Sequence, residues 1–172
     1  MSTLLKSAKI IDPESPFHHQ ILDILIADGR IVNISKSITS EDYTTIALEN
    51  LHVSRGWSDS GVCFGEPGFE ERETIANGLT TAAKSGFTDV LVHPHTHPVA
   101  DTGSAIAFLT ARAAGNAVNL HPIGALTMEG KGTQLAELFD MKTAGVVAFG
   151  DYKSPITNSN VLKIALQYTQ SF

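Results

Sequence analysis

The fold of this chain follows from the stretch Arg55-Gly-Trp-Ser-Asp-Ser-Gly-Val-Cys-Phe-Gly-Glu-Pro-Gly68 and from what comes after it. The stretch leads through Glu73-Thr74-Ile75 into a helical pattern that stops at Gly86. A second strand-like run then reads Gly86-Phe-Thr-Asp-Val-Leu-Val-His-Pro-His-Thr-His-Pro98. A strand, a helix closed by glycine and a further strand are typical of the βα units that build parallel sheets.

The same unit repeats along the rest of the chain. The first helix is predicted over residues 69–85, where apolar residues recur at helical spacing and a Glu-rich first turn suits the helix dipole. The later predicted elements are helix Ser104–Ala114 before the run Val118–Ala125, helix Thr133–Ala144 before the run Val146–Phe149, and a last helix from about Asn158 or Ser159. Repeated βα units predict an α/β architecture with a parallel sheet.

The first fifty residues carry strand patterns instead. Leu4–Ile11 alternates loosely, and Ile21–Ile34 contains two β-rich runs around Asp28-Gly29. That dipeptide accepts the positive φ angles of a tight hairpin, so it predicts an antiparallel pair of strands. Residues 36–50 are polar and turn-like. We therefore predict a small β domain and linker over residues 1–52, followed by four βα units over residues 53–172.

The pattern alone leaves two architectures open for the βα units. A (β/α)8 barrel usually needs about 250 residues. A chain of 172 residues could therefore supply only the N-terminal β unit and the first half of a barrel. A doubly wound open sheet is the alternative, although the first βα turn lacks the Gly-x-Gly-x-x-Gly expected of a dinucleotide-binding fold.

Composition and charge narrow the class of protein. The chain has a formal net charge of -6 and no adjacent Lys or Arg residues, so neither nucleic acid nor a membrane surface is an expected partner. The single cysteine, Cys63, excludes an internal disulfide. There is no signal-peptide core, and no stretch approaches the roughly 18 apolar residues of a membrane span. We expect a cytoplasmic protein.

The order of these segments resembles the start of the dihydroorotase barrel. In that family the first barrel strand reads Asp-x-His-x-His-x-Arg-Glu-Pro-Gly, and its two histidines hold catalytic zinc. Four residues fit this frame: Asp59, Glu66, Pro67 and Gly68. Two later segments are also similar to the family, Gly124-Ala-Leu-Thr127 and Ala148-Phe-Gly-Asp151. The resemblance favours an α/β fold consisting of the first half of a (β/α)8 TIM-type barrel, preceded by a small N-terminal β unit. It also implies a longer parent polypeptide, truncated here after residue 172.

The chain departs from the family at the positions that carry chemistry. Gly61 and Cys63 occupy the two histidine positions, and Gly65 occupies the arginine position. After the second strand, the family asparagine that helps to bind substrate is replaced by His95. After the fourth strand, Tyr152 replaces the second of two adjacent aspartates. The resemblance therefore implies that His95 lies at a substrate-binding position.

Four side chains are candidate metal ligands. Cys63 could bind zinc as a thiolate, or it could be a small buried hydrophobic residue. His93 and His97 flank His95 at a spacing of two, so these histidines could face one metal ion or belong to a proline-framed loop without a site. Asp151 matches an aspartate that is a metal ligand in many dihydroorotases, or it forms structural hydrogen bonds. The catalytic residues stay unassigned.

Other residues are predicted to be structural. His121 lies early on its strand, away from the C-terminal end where barrel chemistry occurs, and is expected in the core or at the bottom face. In a half-barrel, the inward-facing apolar side chains would lack an opposing layer. The residues expected to face inward are Val90, Val92, Ile123, Val146 and Ala148.

The resemblance implies two competing functions. Dihydroorotase opens and closes the dihydroorotate ring in pyrimidine synthesis with a metal-held hydroxide. The departures lead us to expect a non-catalytic homologue with a structural role alongside aspartate transcarbamoylase, with no cofactor at the family site. The alternative is an active cyclic amidohydrolase with a rearranged zinc site. A third hypothesis, which the sequence does not exclude, is a degraded gene product without a selected role. The half-barrel predicts that a missing half or self-association covers the open edges.

Overall fold

The structure is a computed structural model that describes residues 2–39 and 43–172. The chain divides into two compact units, Met1–Arg55 and Gly56–Phe172. Among the described residues, no helix is long and apolar enough to cross a membrane.

The first unit is a small five-stranded sheet. Its strands are β1 (Ser2–Ile11), β2 (Ile21–Ala27), β3 (Arg30–Ser35), β4 (Thr44–Ile46) and β5 (His52–Ser54). The order is β3-β2-β1-β4, and β5 pairs with another part of β1. β1, β2 and β3 are antiparallel neighbours, whereas β4 and β5 lie parallel to β1.

The hairpin of this unit was predicted correctly from the sequence, but the linker was not. Asp28 and Gly29 connect β2 to β3 with φ angles of 51° and 74°. The left-handed conformation at both positions matches the twist of the flanking strands, as the dipeptide indicated. The predicted linker 36–50 is only partly a linker, because its residues 44–46 form β4 against β1. Residues 40–42 of that linker lie outside the described residues.

A buried carboxylate connects three segments of the first unit. Asp23, on β2, accepts hydrogen bonds from the Lys6 ammonium at 2.5 Å, from the Ser7 backbone N–H at 2.9 Å and from the Ile38 backbone N–H at 2.9 Å. The pairing of β1 with β2 is irregular between Leu5 and Ala8, and Ser7 has a φ of 52° there. Burial by itself would raise the pKa of Asp23, but the hydrogen bonds from Lys6, Ser7 and Ile38 outweigh it and lower that pKa.

The second unit contains four parallel strands and four α-helices in alternation. The strands are β6 (Trp57–Val62), β7 (Phe87–Val92), β8 (Asn119–Gly124) and β9 (Ala148–Phe149). The helices are α1 (Ile75–Lys84), α2 (Gly103–Ala113), α3 (Leu138–Thr143) and α4 (Ser159–Thr169). The strand order β6-β7-β8-β9 follows the chain without reversal. A doubly wound sheet reverses its strand order, so the predicted half of a (β/α)8 barrel is confirmed.

The core of the second unit lies between the sheet and one layer of helices. All four helices contribute to a single apolar cluster with the strands, through residues that include Ile75, Leu79, Ile106, Leu109, Leu138, Met141 and Ala165. Val90, Val92 and Val146 belong to the same cluster, so the prediction that they face the barrel interior is wrong. Ile123 and Ala148 instead line an open cavity beside His93. Parallel strands are apolar on both faces, so their pattern does not reveal which face meets the helices.

Two helices begin later than the sequence predicted. α1 begins at Ile75 rather than at residue 69, because Thr74 is its N-cap and its side chain accepts a hydrogen bond from the Asn77 N–H. The Glu-rich segment therefore precedes the helix and does not form its first turn. α3 begins at Leu138 rather than at Thr133. The preceding residues are held by an antiparallel bridge between Thr127 and Leu135.

His121 lies on β8, as predicted, and pairs with a carboxylate on the neighbouring strand. Its Nε2 is 2.8 Å from Oδ1 of Asp89 on β7, and the amide of Asn119 donates to the same oxygen at 3.1 Å. The hydrogen bond with His121, followed by those with Thr88 and Asn119, lowers the pKa of Asp89. The pair is therefore a polar contact between strands near their N-terminal ends.

We predict that Asp23→Asn destabilises the first unit. The substitution removes the charge that Lys6 and two backbone N–H groups face, and losing such a buried acceptor costs about 1–3 kcal/mol. Because the native pKa of Asp23 is lowered, its contribution is present above the ordinary aspartate pKa of about 3.9 and is lost as the pH falls through the native value. Urea unfolding from pH 7 down to pH 3 should show the difference from wild type shrinking in acid. An equal loss for Glu49→Gln, an exposed control in the same unit, would contradict the prediction.

Candidate functional site

The candidate site lies where the four parallel strands end. The loops after β6, β7, β8 and β9 begin at residues 63, 93, 125 and 150. In a barrel of parallel strands, these C-terminal ends share one face, which is where the chemistry of such folds occurs. All the site residues predicted from the sequence lie on these loops.

The end of β6 offers few ligand atoms. Gly61 has no side chain, and its backbone N–H donates to Oδ1 of Asp59 at 2.8 Å. A Cβ at Gly61 would meet only that oxygen, at 3.6 Å, so there is room for a side chain. Cys63 is half-buried, and its Sγ lies 3.7 Å from the Phe64 carbonyl. Cys63 thus provides one sulfur atom that could bind a metal ion, and Gly61 provides no ligand atom.

The loop after β6 closes tightly on Gly65. The Gly65 N–H donates to the Glu73 carbonyl at 2.9 Å, and the Phe69 N–H donates to the Gly65 carbonyl at 2.8 Å. A Cβ at Gly65 would lie 1.9 Å from the Phe69 carbonyl oxygen. This loop conformation therefore cannot carry an arginine, or any other side chain, at position 65.

A buried carboxylate holds the same loop against two helices. Glu66 accepts a hydrogen bond from the Ile75 N–H at 2.9 Å, at the start of α1, and another from Nε of Arg112 on α2 at 2.6 Å. A carboxylate at a helix N-terminus satisfies a backbone N–H that has no partner within the helix. Glu66 is thus a structural residue, and its two oxygens are both occupied by protein donors.

The loops after β7 and β9 form a row of aromatic rings. The Tyr152 ring centroid lies 4.6 Å from that of His93 and 5.3 Å from that of His95. Phe69, from the loop after β6, stacks on His95 at 5.9 Å with an interplanar angle of 19° and lies 6.3 Å from His97. The structure therefore brings His93 and His95 together around Tyr152, whereas His97 lies beside Phe69.

His93 is the histidine most affected by its surroundings. Burial lowers the pKa of His93, because the charged imidazolium loses water without gaining an anionic partner. The neutral imidazole is favoured as a result. A neutral ring can accept a proton or bind a metal ion, and the ring of His93 also packs against Tyr152.

Asp151 is engaged by the neighbouring loop. Its Oδ1 accepts hydrogen bonds from the N–H groups of Leu126 and Thr127 at 2.9 and 3.0 Å, and its Oδ2 accepts from the Thr127 hydroxyl at 2.5 Å. Thr127 is fully buried. These contacts tie the end of β9 to the loop after β8, which is the hydrogen-bonding alternative that the sequence left open.

Two cavities meet at Asp151 and Tyr152. The smaller, about 90 Å³, lies beside His95 and is also lined by Pro94, Val99, Ala125, Glu129, Gly130 and Ser154. The larger is an open cavity of about 310 Å³ beside His93, and it is also lined by Ile123, Ala148, Phe149, Gly150 and Lys153. The site is therefore divided and does not form one pocket.

Comparison with known proteins identifies the family. The family model described as dihydro-orotase-like matches residues 54–169. This chain belongs to the dihydroorotase-like family.

The curated relatives are considerably longer than this chain. A dihydroorotase from Pelotomaculum thermopropionicum is 40% identical over 168 residues, which cover 98% of this chain and 39% of that protein. One from Solibacter usitatus is 34% identical over 173 residues, covering 100% of this chain and 40% of that protein. The chain thus spans about two fifths of the length of these relatives.

Solved structures support the fold. An L-hydantoinase (dihydropyrimidinase) from Arthrobacter aurescens superimposes with a TM-score of 0.69 at 23% identity, over 86% of this chain and 32% of that one. A dihydroorotase superimposes with a TM-score of 0.59 at 13% identity, over 86% of this chain and 41% of that one. At these identities the similarity shows the fold alone.

The zinc site implied by the dihydroorotase resemblance does not fit these residues. Zinc requires several nitrogen, sulfur or oxygen ligands converging on one point. Gly61 supplies no ligand, Cys63 supplies one, and Asp151 accepts three hydrogen bonds from Leu126 and Thr127. Within residues 2–39 and 43–172, no three His, Cys, Asp or Glu side chains are grouped so that they could hold a metal ion.

Two site residues of this dihydroorotase-like chain were not recognised from its sequence. Phe69 was assigned to a helix, yet it lies in the loop and contacts His95 and His97. Tyr152 is predicted only as a replacement, yet it lines both cavities and contacts His93 and His95. An aromatic residue at a position where the family has a carboxylate was the available signal for Tyr152.

We predict that Asp151→Ala lowers the stability of the second unit by about 1–3 kcal/mol, because it leaves the Leu126 and Thr127 N–H groups without an acceptor. Asp59→Ala, which removes an exposed acceptor of one N–H group, is the matched control and should cost less. Urea unfolding of both variants is the measurement. Equal stabilities for Asp151→Ala and wild type would show that Asp151 is free for another role.

Proposed function

We propose that this chain belongs to a dihydroorotase homologue of pyrimidine biosynthesis that has lost catalysis and serves as a structural partner of aspartate transcarbamoylase. The observation that carries the proposal is which side chains lie at the C-terminal ends of the barrel strands and what they contact. Within this chain, Gly61 and Gly65 lack side chains at two positions that the family uses for chemistry, Cys63 replaces a histidine at a third, and Asp151 accepts hydrogen bonds from the neighbouring loop. A cytoplasmic location is part of the same proposal.

Loss of hydroxide activation supports the absence of catalysis. Attack on a cyclic amide at neutral pH needs an activated water, which zinc supplies by lowering its pKa. In this chain Gly61 has no ligand atom, and Cys63 contributes one half-buried thiol. Asp151 directs its oxygens to Leu126 and Thr127. We therefore propose that no cofactor acts at the family site.

Loss of substrate binding supports the proposal independently. The family arginine would hold the substrate carboxylate with paired hydrogen bonds. Gly65 cannot be replaced by arginine without reorganising the loop, since the Phe69 carbonyl occupies the space of a Cβ. His95, at the asparagine position, contacts the rings of Phe69 and Tyr152 but is exposed. The family's substrate contacts are thus absent at position 65 and replaced by an imidazole at position 95.

A structural role is supported by the surface of the second unit. Helix α4 exposes four large apolar side chains: Leu162, Ile164, Leu166 and Tyr168, between 41% and 59% accessible. A groove of about 210 Å³ runs along this helix and includes Leu126 and Phe149. Apolar patches of this kind mark surfaces that associate with other protein. We propose that aspartate transcarbamoylase, a further half-barrel or another copy covers this side.

The alternative function is a cyclic amidohydrolase with a rearranged zinc site. The observation in its favour is that His93 and His95 both contact the Tyr152 ring. The lowered pKa of His93 also favours the neutral imidazole, which is the form that binds metal ions. Two imidazoles and the Cys63 thiol would then need to converge on one ion. The rings are instead packed against the tyrosine, which makes this the weaker proposal.

We predict that the purified protein lacks dihydroorotase turnover after incubation with zinc. The double substitution Gly61→His and Cys63→His should not restore turnover, although position 61 has room for a side chain, because Gly65 and His95 still lack the carboxylate-binding groups. Zinc content by mass spectrometry and the rate of dihydroorotate hydrolysis are the measurements.

Wild-type turnover with bound zinc would overturn the loss of catalysis and favour the alternative site. Turnover in the double variant alone would show that substrate binding survives and that only the ligands are missing. A curated relative such as the Pelotomaculum thermopropionicum dihydroorotase, assayed in parallel, is the positive control.

We predict that Leu166→Glu weakens association of the protein with aspartate transcarbamoylase or with itself. Burying a carboxylate without a partner at an apolar interface costs several kcal/mol, so we expect roughly a hundredfold loss of affinity. Gln167→Glu adds the same charge at the next, also exposed, position of α4 and should have little effect. Light scattering after size-exclusion chromatography, with and without aspartate transcarbamoylase, measures both. A wild-type protein that stays monomeric in both samples would contradict the proposed structural role.

A further inference from the structure

The sheet of the second unit has two open ends in the part of the chain that the structure describes. In the order β6-β7-β8-β9, β6 pairs with β7 alone and β9 pairs with β8 alone. Five of the six residues of β6 are exposed, and Trp57 has 66% of its surface accessible. Unpaired strand edges and exposed aromatic residues are features of surfaces that associate with other protein.

The side chains at the two ends have complementary shapes. At the β9 end, α4 presents Leu162 and Leu166, which lie one helical turn apart and are both exposed. At the β6 end, a cavity of about 190 Å³ lies between β6 and α1, and its lining includes Val62, Phe64 and Ala82. One end therefore carries an apolar ridge, and the other carries an apolar groove.

The two ends also differ in charge. β6 and the loop after it, residues 57–74, contain five carboxylates, of which Glu66 is buried, and one arginine. Residues 146–172, which include β9 and α4, contain two lysines and one aspartate. The exposed charges of the two ends include Glu70 and Glu71 on one side and Lys153 and Lys163 on the other. Electrostatic attraction therefore favours contact between unlike ends and disfavours contact between two β6 ends.

We propose that a second copy of this chain covers both open ends, so that two half-barrels close into one eight-stranded barrel. The proposal rests on the structural role given under the proposed function. It commits the apolar surface of α4 to one partner, and it assigns the β6 end of the second copy as the surface that α4 contacts.

A twofold axis parallel to the strands produces this arrangement. Rotation about such an axis keeps all the strands parallel and places β9 of each copy beside β6 of the other, at two identical seams. Four strands from each copy give eight, the number with which parallel barrels of this kind close. Twofold symmetry is also the commonest symmetry of soluble dimers.

The helices fit the same arrangement. Within the sheet, α1 contacts β7 and α2 contacts β8, so each of these helices lies against the strand that follows it in the order. By the same rule, α4 of one copy would lie against β6 of the other and beside its α1. Leu162 and Leu166 would then face the groove between β6 and α1, and the acidic loop after β6 would meet the end that carries Lys153 and Lys163.

The first measurement uses Trp57, which is the single tryptophan of the chain. Sedimentation equilibrium over a range of concentrations gives the mass, and fluorescence of the same samples reports the surroundings of Trp57. We expect a dimer in which Trp57 is partly covered, with an emission maximum that moves to longer wavelength as the dimer dissociates. A chain that stays monomeric at every concentration overturns the proposal. A dimer that dissociates without a change in Trp57 emission overturns the seam at β6.

The second measurement reverses the charge of each end separately. One variant carries Glu70→Lys and Glu71→Lys, and the other carries Lys153→Glu and Lys163→Glu. Each variant alone places like charges across both seams, so its dimer should be roughly tenfold or more weaker than that of wild type. An equimolar mixture has one unchanged seam and one seam with exchanged charges, so it should dimerise as tightly as wild type.

The acidic end decides between this arrangement and a contact of α4 with α4. A Glu70→Lys, Glu71→Lys variant that dimerises like wild type overturns the proposal, as does a mixture that does not recover the affinity. Glu70 accepts a hydrogen bond from the Gly68 N–H, so Glu71→Lys alone replaces the double variant if the latter does not fold. Glu137→Lys and Lys142→Glu make the same changes at exposed positions of α3 and its N-cap, away from both ends, and should leave the dimer unchanged.

Failure of this inference can be told apart from failure of the proposed function. A chain that is monomeric alone but binds aspartate transcarbamoylase overturns the second copy and leaves the structural role intact. A dimer that hydrolyses dihydroorotate after incubation with zinc overturns the loss of catalysis and leaves the closed barrel intact.

Discussion

The site depends on the buried contact between Glu66, the start of α1 and Arg112. A carboxylate with little access to water is stable only when donors surround it, and the Ile75 N–H and the Arg112 guanidinium provide them. The contact joins the loop after β6 to the first two helices of the half-barrel. The Pro67 carbonyl then accepts a hydrogen bond from the His97 N–H at 2.9 Å, so the loop after β7 is held by the same segment.

This constraint determines the arrangement of the rings. With Glu66 fixed, the chain folds back on Gly65, and the Phe69 carbonyl takes the space in which a side chain at position 65 would begin. The Phe69 ring stacks on His95, and the Tyr152 ring also contacts that imidazole. The replacement of arginine by glycine at position 65 and the contact of Phe69 with the exposed His95 ring are therefore linked through one loop, although the two positions are thirty residues apart in sequence.

The sequence predicted the features that depend on local chemistry. Asp28-Gly29 gave the hairpin because few dipeptides accept two positive φ angles, and the helix-closing glycines indicated the order of the βα units. The sequence did not predict the features that depend on packing between distant segments. Both faces of a parallel strand are apolar, so the sequence could not show that Val90 and Val92 pack against the helices. The spacing of the three histidines could not show that Phe69 contacts His95 and His97 while Tyr152 contacts His93 and His95. The metal-ligand predictions for Cys63, His93, His97 and Asp151 stay predictions, as does substrate binding by His95.

The polar groups of the strand ends also show why structure and catalysis compete here. A catalytic carboxylate must keep lone pairs available for a metal ion or a proton, and the neighbouring backbone must then find other partners. In this chain Asp151 satisfies the N–H groups of Leu126 and Thr127, and the buried Thr127 hydroxyl donates to the same carboxylate while accepting from the Gly132 N–H at 2.8 Å. Each of these hydrogen bonds orders the loops and uses one lone pair of the Asp151 carboxylate, which leaves one lone pair on Oδ2. A metal ion at Asp151 would therefore have to share the carboxylate with these structural hydrogen bonds, and it would need further ligands, since Gly61 provides none.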